Sequence, residues 1–168
     1  MSRICVAAEY NEVVAPAWPG LFVNRILALD LGKKRIGLAV SDELGLTAQG
    51  LATLERKNKR VDLAAIEQLA TRKGVTLILL GNPLHMSGNE GRQSAWVKDF
   101  AGALAARTRL PVKLWDERLT TVEASRVLRQ SGMGIEKRAA AIDRLAAVIL
   151  LQSYLDAQHY SGRESDRI

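Results

Sequence analysis

Three carboxylates stand where they could do chemistry: Asp30, one of the adjacent pair Asp116 and Glu117, and Asp143. Asp30 ends a short apolar run at residues 26–29, and Asp116 and Glu117 follow another at 112–115. Sites in open α/β sheets form at the carboxyl ends of strands. Two neighbouring parallel strands would therefore bring Asp30 together with one of the pair. Side chains alternate along a strand, so Asp116 and Glu117 face opposite ways, and spacing does not say which turns inward. The plain alternative for each is a solvated carboxylate at a strand end.

Asp143 lies in a stretch with helical spacing, among Ala139, Ala140, Ala146, Ala147 and Leu150. That helix is apolar over most of its circumference, as expected of one packed on more than one side. An ionised carboxylate there is costly to desolvate without a cation beside it. The partner could be an arginine such as Arg144 or Arg126, or a metal ion shared with Asp30. Three carboxylates without a His/Cys cluster select a hard cation, Mg²⁺ or Mn²⁺, which prefers oxygen ligands. Two such ions about 4 Å apart can generate a hydroxide and stabilise the leaving oxygen of a phosphodiester displacement.

Cations surround these acids. Lys33, Lys34 and Arg35 follow Asp30 in a turn, either gripping a phosphate backbone or forming a solvated hairpin tip. Arg56, Lys57, Lys59 and Arg60 form a second run, read as solvent-facing. Arg118 follows Glu117 and would pair with a phosphate or with Asp116. The loop 84–92 carries His85 and Ser87; an unperturbed imidazole titrates near neutrality, so His85 could protonate a leaving group, or simply be solvated. Trp96 and Trp115 read as core residues, and Gly32 and Gly37 as sites of turn geometry or close backbone approach.

The elements that position these groups alternate along the chain. Residues 26–29 and 36–40 read as strands joined by a turn, and 47–54 as a third strand. A helix is predicted over 61–72 with Gly74 at its C-cap, then a buried strand at 75–80. A helix at 94–107, a strand at 112–115, a helix opened by Thr120 and Glu123, and a last helix at 137–155 complete the pattern. Strands first, then alternating helix and strand, predict an α/β fold. Its five-stranded mixed sheet has an antiparallel first three and parallel later members. Residues 1–24 read as a poorly ordered extension and 156–168 as a polar tail.

The 168 residues suit one domain and bury a real core without staples. One cysteine, Cys5, excludes an internal disulfide, and two histidines give no zinc pattern. A reducing, cytoplasmic setting is expected. No apolar run approaches the roughly 20 residues that span a bilayer, so no membrane partner is expected. The balance of 24 Lys and Arg against 18 Asp and Glu, net +6, favours a polyanionic partner such as nucleic acid.

Four segments are together distinctive: Asp30-Leu-Gly-Lys-Lys-Arg-Ile-Gly-Leu-Ala, Gly81-Asn-Pro-Leu-His-Met-Ser-Gly, Asp116-Glu-Arg-Leu-Thr-Thr-Val-Glu-Ala and Ile142-Asp-Arg-Leu-Ala-Ala-Val-Ile-Leu. In this order they resemble the YqgF/RuvX family over residues 25–155. That resemblance implies a ribonuclease H-like fold and a nuclease of pre-16S ribosomal RNA, or a Holliday-junction resolvase homologue. It implies that Asp30, Glu117 and Asp143 form the acidic metal site, selecting Glu117 over Asp116. Asp116 is then an orienting neighbour. The chain departs from the family loop, usually Gly-Leu-Pro followed by Asn-Met-Asp-Gly, at Asn82, His85 and Ser87.

The expected function is metal-dependent hydrolysis of structured nucleic acid, most simply the 5′ end of pre-16S ribosomal RNA. One alternative is a resolvase of branched DNA, which would act as a homodimer rather than a monomer. Another is a non-catalytic RNA-binding assembly factor. A phosphotransferase of the actin and sugar-kinase type shares an Asp-x-Gly at a strand end, but it needs a second lobe and this chain is too short for one.

Overall fold

The computed structural model describes residues 24–83, 92–116 and 135–165. Its sheet begins with β1 (Arg25–Leu31) and β2 (Arg35–Ser41), joined by a tight turn. Both strands run slightly beyond the apolar segments 26–29 and 36–40, because Asp30, Leu31 and Arg35 remain in the ladder. Alternation along β1 divides its side chains. Leu27, Leu29 and Leu31 enter one apolar cluster, and Ala28 enters another on the opposite face.

The expected third strand at 47–54 is broken in two. β3 (Ala48–Gly50) and β4 (Leu54–Glu55) share the outer edge of β2, pairing with residues 39–41 and 35–36. The intervening residues keep one contact to that edge, from the Leu51 N–H to the Leu38 carbonyl at 2.8 Å. Before β3, Asp42 organises the connecting turn. The Leu46 N–H and the Thr47 hydroxyl bond its carboxylate at 2.7 and 2.9 Å and hold its pKa below the usual value.

α1 (Lys59–Lys73) starts two residues before the apolar pattern suggests, because Asn58 caps it. The Asn58 side chain accepts from the Val61 N–H at 3.0 Å. Gly74 ends it in the left-handed region at φ 63°, its N–H reaching the carbonyls of Ala70 and Thr71, as the sequence predicts. β5 (Val75–Asn82), α2 (Arg92–Thr108), β6 (Val112–Asp116) and α3 (Ile135–Ser165) follow. α3 continues through the polar segment that the sequence suggests is a tail. No helix among the described residues is long and apolar enough to cross a membrane.

The sheet order is β3-β2-β1-β5-β6, with β4 also on β2. β1, β2 and β3 are antiparallel neighbours, whereas β5 lies parallel to β1 and β6 parallel to β5. This is the mixed sheet the sequence predicts. α1 and α2 cover one face over Leu27, Leu29, Ile66, Ile78, Leu80, Phe100 and Leu104. α3 covers the other, where Ala28, Ala39, Leu79, Ala147, Leu150 and Leu151 are buried. Trp115 of β6 locks to α3 through its indole N–H to Ser153 Oγ at 3.0 Å and an edge contact with Tyr154 at 5.1 Å. The carboxyl ends of β1, β5 and β6 thus share one end of the sheet.

Candidate functional site

Asp30 is the penultimate residue of β1, and its register partner is Gly37 of β2. Residues directly opposite in an antiparallel pair present their side chains to the same face, with Cα atoms about 5 Å apart. The direction of Gly37 is set by what lies above it. A Cβ there would collide with the Asp143 carbonyl oxygen and lie 2.6 Å from its carbonyl carbon. Backbone of α3 therefore rests directly on Gly37. Asp30 shares that face, half-buried, one strand away from the point where Asp143 crosses. Asp30 and the backbone of Asp143 thus lie on the same face, with Gly37 between them.

The cation beside Asp143 is Arg35, not Arg144. Arg35 Nε lies 2.9 Å from Asp143 Oδ2, with the two side chains 27% and 25% exposed. Arg35 stands two residues before Gly37 and so on the same face of β2. Arg144 instead lays its aliphatic stem over Gly50, where a Cβ would approach Arg144 Cγ to 2.8 Å. Arg126, the other arginine considered for Asp143, lies outside the described residues. Of the three turn cations, Arg35 is engaged with an acid while Lys33 and Lys34 are exposed.

Asp116 sits on the other face. Lys113 and Trp115 pack toward Tyr154 of α3, whereas Val112 and Leu114 join the cluster under α1 and α2. Alternation puts Asp116 with the latter, beside its register partner Asn82. Asn82, one of the departures from the family loop, is buried and accepts from Ser94 Oγ at 2.7 Å. That bond ties the end of β5 to the first turn of α2. Glu117, Arg118, His85 and Ser87 lie outside the described residues.

The second cation run is not uniformly solvated. Arg56 is 17% exposed and bonds Asp62, which is 1% exposed, at 3.2 Å. It also donates to the Gly32 carbonyl at 3.1 Å and lies 4.6 Å over the Trp96 ring. Its own N–H bonds the Lys34 carbonyl at 2.9 Å. The β1–β2 turn is thus pinned at both ends by one residue. A run of four basic residues gives no sign of this, because Trp96 comes from α2 and the burial of Asp62 in α1 is set by the packing around it.

Among the described residues no three His, Cys, Asp or Glu side chains gather at one point. Asp30 and Asp143 supply oxygen donors only, on one face. That donor chemistry fits Mg²⁺ or Mn²⁺ and not a soft or nitrogen-preferring metal.

A family model described as "RuvX: Holliday junction resolvase" matches residues 24–157. A protein of Koribacter versatilis is 52% identical over 146 residues, covering 87% of this chain and 95% of its own length. One of Moorella thermoacetica is 47% identical over 138 residues, covering 82% and 99%. Both are named "Putative pre-16S rRNA nuclease". Among solved structures, T. thermophilus RuvC in complex with a Holliday junction substrate superposes with a TM-score of 0.52 at 15% identity. The match covers 81% of this chain and 96% of that one. This likeness shows a ribonuclease H-like fold.

Proposed function

The chain belongs to the RuvX family and is a hydrolase of phosphodiester bonds, and from that premise we propose that it is a divalent-metal-dependent nuclease processing the 5′ end of pre-16S ribosomal RNA. The observation that supports the reading is that α3 backbone at Asp143 rests on Gly37, the register partner of Asp30, which puts both acids on one side of the sheet. Asp116 takes the α2 face. The family resemblance supplies Glu117 as the third acid. Asp30, Glu117 and Asp143 would hold Mg²⁺ or Mn²⁺, and the bound ion would supply activation of a water and charge stabilisation of the leaving oxygen.

The chain's own groups do the rest. The β1–β2 ladder fixes the backbone of Asp30 and so the face to which its carboxylate is presented. Arg35 restrains Asp143 and offsets part of the repulsion between the acids. Lys33 and Lys34, held by the pinned turn, contact the substrate backbone and set its register. Asp116 orients groups at the end of β5 and β6 rather than touching the reacting phosphate.

Asp30→Asn should abolish Mg²⁺- or Mn²⁺-dependent cleavage of precursor RNA while the thermal melt stays wild type. Cleavage at the wild-type rate by that variant would refute the assignment. The family model's description favours a second reading, a resolvase of branched DNA with the same acids. Offering labelled four-way DNA junctions beside precursor RNA decides between them.

A further inference from the structure

The β1–β2 turn has two sides. One faces α3 and carries Asp30 and Arg35. The other opens into a cavity of about 450 Å³ lined by Lys33, Arg56, Arg92, Gln93 and Trp96. We infer that this cavity holds one nucleotide from an unpaired stretch of the substrate strand. Its phosphate lies between Lys33 and Arg92, and its base lies against the Arg56–Trp96 stack. The inference rests on the nuclease reading and names the part of the substrate that reaches beyond the cleaved bond.

Charge selects an anion. Among the described residues the lining has three cations and no acid. Lys33 and Arg92 are both exposed, and neither makes an ion pair among the described residues. Arg56 differs, because the buried Asp62 already neutralises it. What Arg56 offers is a flat guanidinium, held in place by Asp62, the Gly32 carbonyl and the Trp96 ring. A rigid planar group beside a half-buried indole is a stacking platform. Gln93 adds an amide able to meet a base edge.

The platform excludes paired strands. Bases inside a duplex are covered on both faces, whereas unpaired bases can splay onto an aromatic or guanidinium plane. Position favours the same occupant. Lys33 is three residues from Asp30, and the cavity lies across the turn from the acids at the same end of the sheet. A strand bent over this turn would engage both.

The test is fluorescence anisotropy on the full chain in EDTA, with a labelled RNA hairpin carrying a short single-stranded tail and the same hairpin made blunt. Wild type should bind the tailed form about tenfold more tightly, the order expected for one stacked base. The K33Q/R92Q double variant should lose that preference. It should also reduce the salt slope of the tailed complex by about 0.7, the value for one single-strand phosphate contact. Both residues are exposed, so the melt should stay wild type. W96L should lose the preference with the slope unchanged, and W96F should keep it. An unchanged tail preference and salt slope in K33Q/R92Q would overturn the inference. Cleavage by D30N on the same hairpins is scored separately. Its persistence sinks the nuclease reading, while its loss alongside an unaltered K33Q/R92Q sinks the cavity alone.

Discussion

Replacing Gly37 by alanine should damage catalysis far more than one methyl group in a small protein ordinarily would. The added Cβ would sit 2.6 Å from the Asp143 carbonyl carbon, whereas carbons in contact normally stand about 3.5–4.0 Å apart. The shortfall is about 1 Å. It falls on helix backbone, which cannot rotate away as a side chain does. Gly37 itself is held in the ladder opposite Asp30 of β1, so α3 must lift. Overpacking of this kind costs about 1–3 kcal/mol, which lowers the melting temperature by roughly 2–12 °C at this chain length. A 1 Å displacement of a catalytic group costs about 10²-fold in rate. Asp143 rides on the displaced backbone, so kcat at saturating Mn²⁺ should drop by about that factor, measured on folded protein in single-turnover cleavage. Gly102 supplies the control. A Cβ there meets nothing within 4 Å, and alanine in mid-helix stabilises by about 0.5–1 kcal/mol. G102A should therefore melt higher and cleave normally. If G37A cleaves at the wild-type rate, the contact between α3 and β2 does not set the site, and the placement of Asp143 argued above is wrong.

Two further outcomes follow from the ion pairs. R35Q removes the cation held 2.9 Å from Asp143, so Mn²⁺ should bind more tightly in calorimetric titration while kcat falls, and weaker binding would contradict the competition between cation and metal. D62N leaves the mostly buried Arg56 without its counter-charge, which should cost about 3 kcal/mol and roughly 6–12 °C of melting temperature; a loss under about 2 °C would mean that water already serves Arg56.

The order of elements and the sheet's mixed direction were readable because they rest on local signals. Apolar runs marked β1, β2 and β5, and Gly74 stopped α1 where a left-handed residue was required. Boundaries slipped where capping chemistry overrode apolar periodicity, as at Asn58. The break at residues 51–53 was not readable, because an edge strand lies open to solvent on one side and nothing in its pattern forces pairing throughout.

At the site, Asp143 could be singled out because an acid on an apolar helix needs a partner, but the partner could not be named. Arg144 was the natural choice by proximity in sequence, yet a residue next in a helix turns about 100° away from its neighbour. Arg35 is 108 positions distant, and it reaches Asp143 only because a glycine lets the helix lie against β2. The same reasoning explains Arg56. Within a run of four cations its role depends on which one meets the buried Asp62 in the first turn of α1 and the indole of Trp96 in α2, and the run itself encodes neither meeting. Charge seen along the chain therefore says how many cations exist, while the sheet decides which are restrained by acids and which stay free for a phosphate. On that division Arg35 and Arg56 are tied to acids, while Lys33, Lys34 and Arg92 are exposed and make no ion pair among the described residues, which is why the proposed function gives them the substrate.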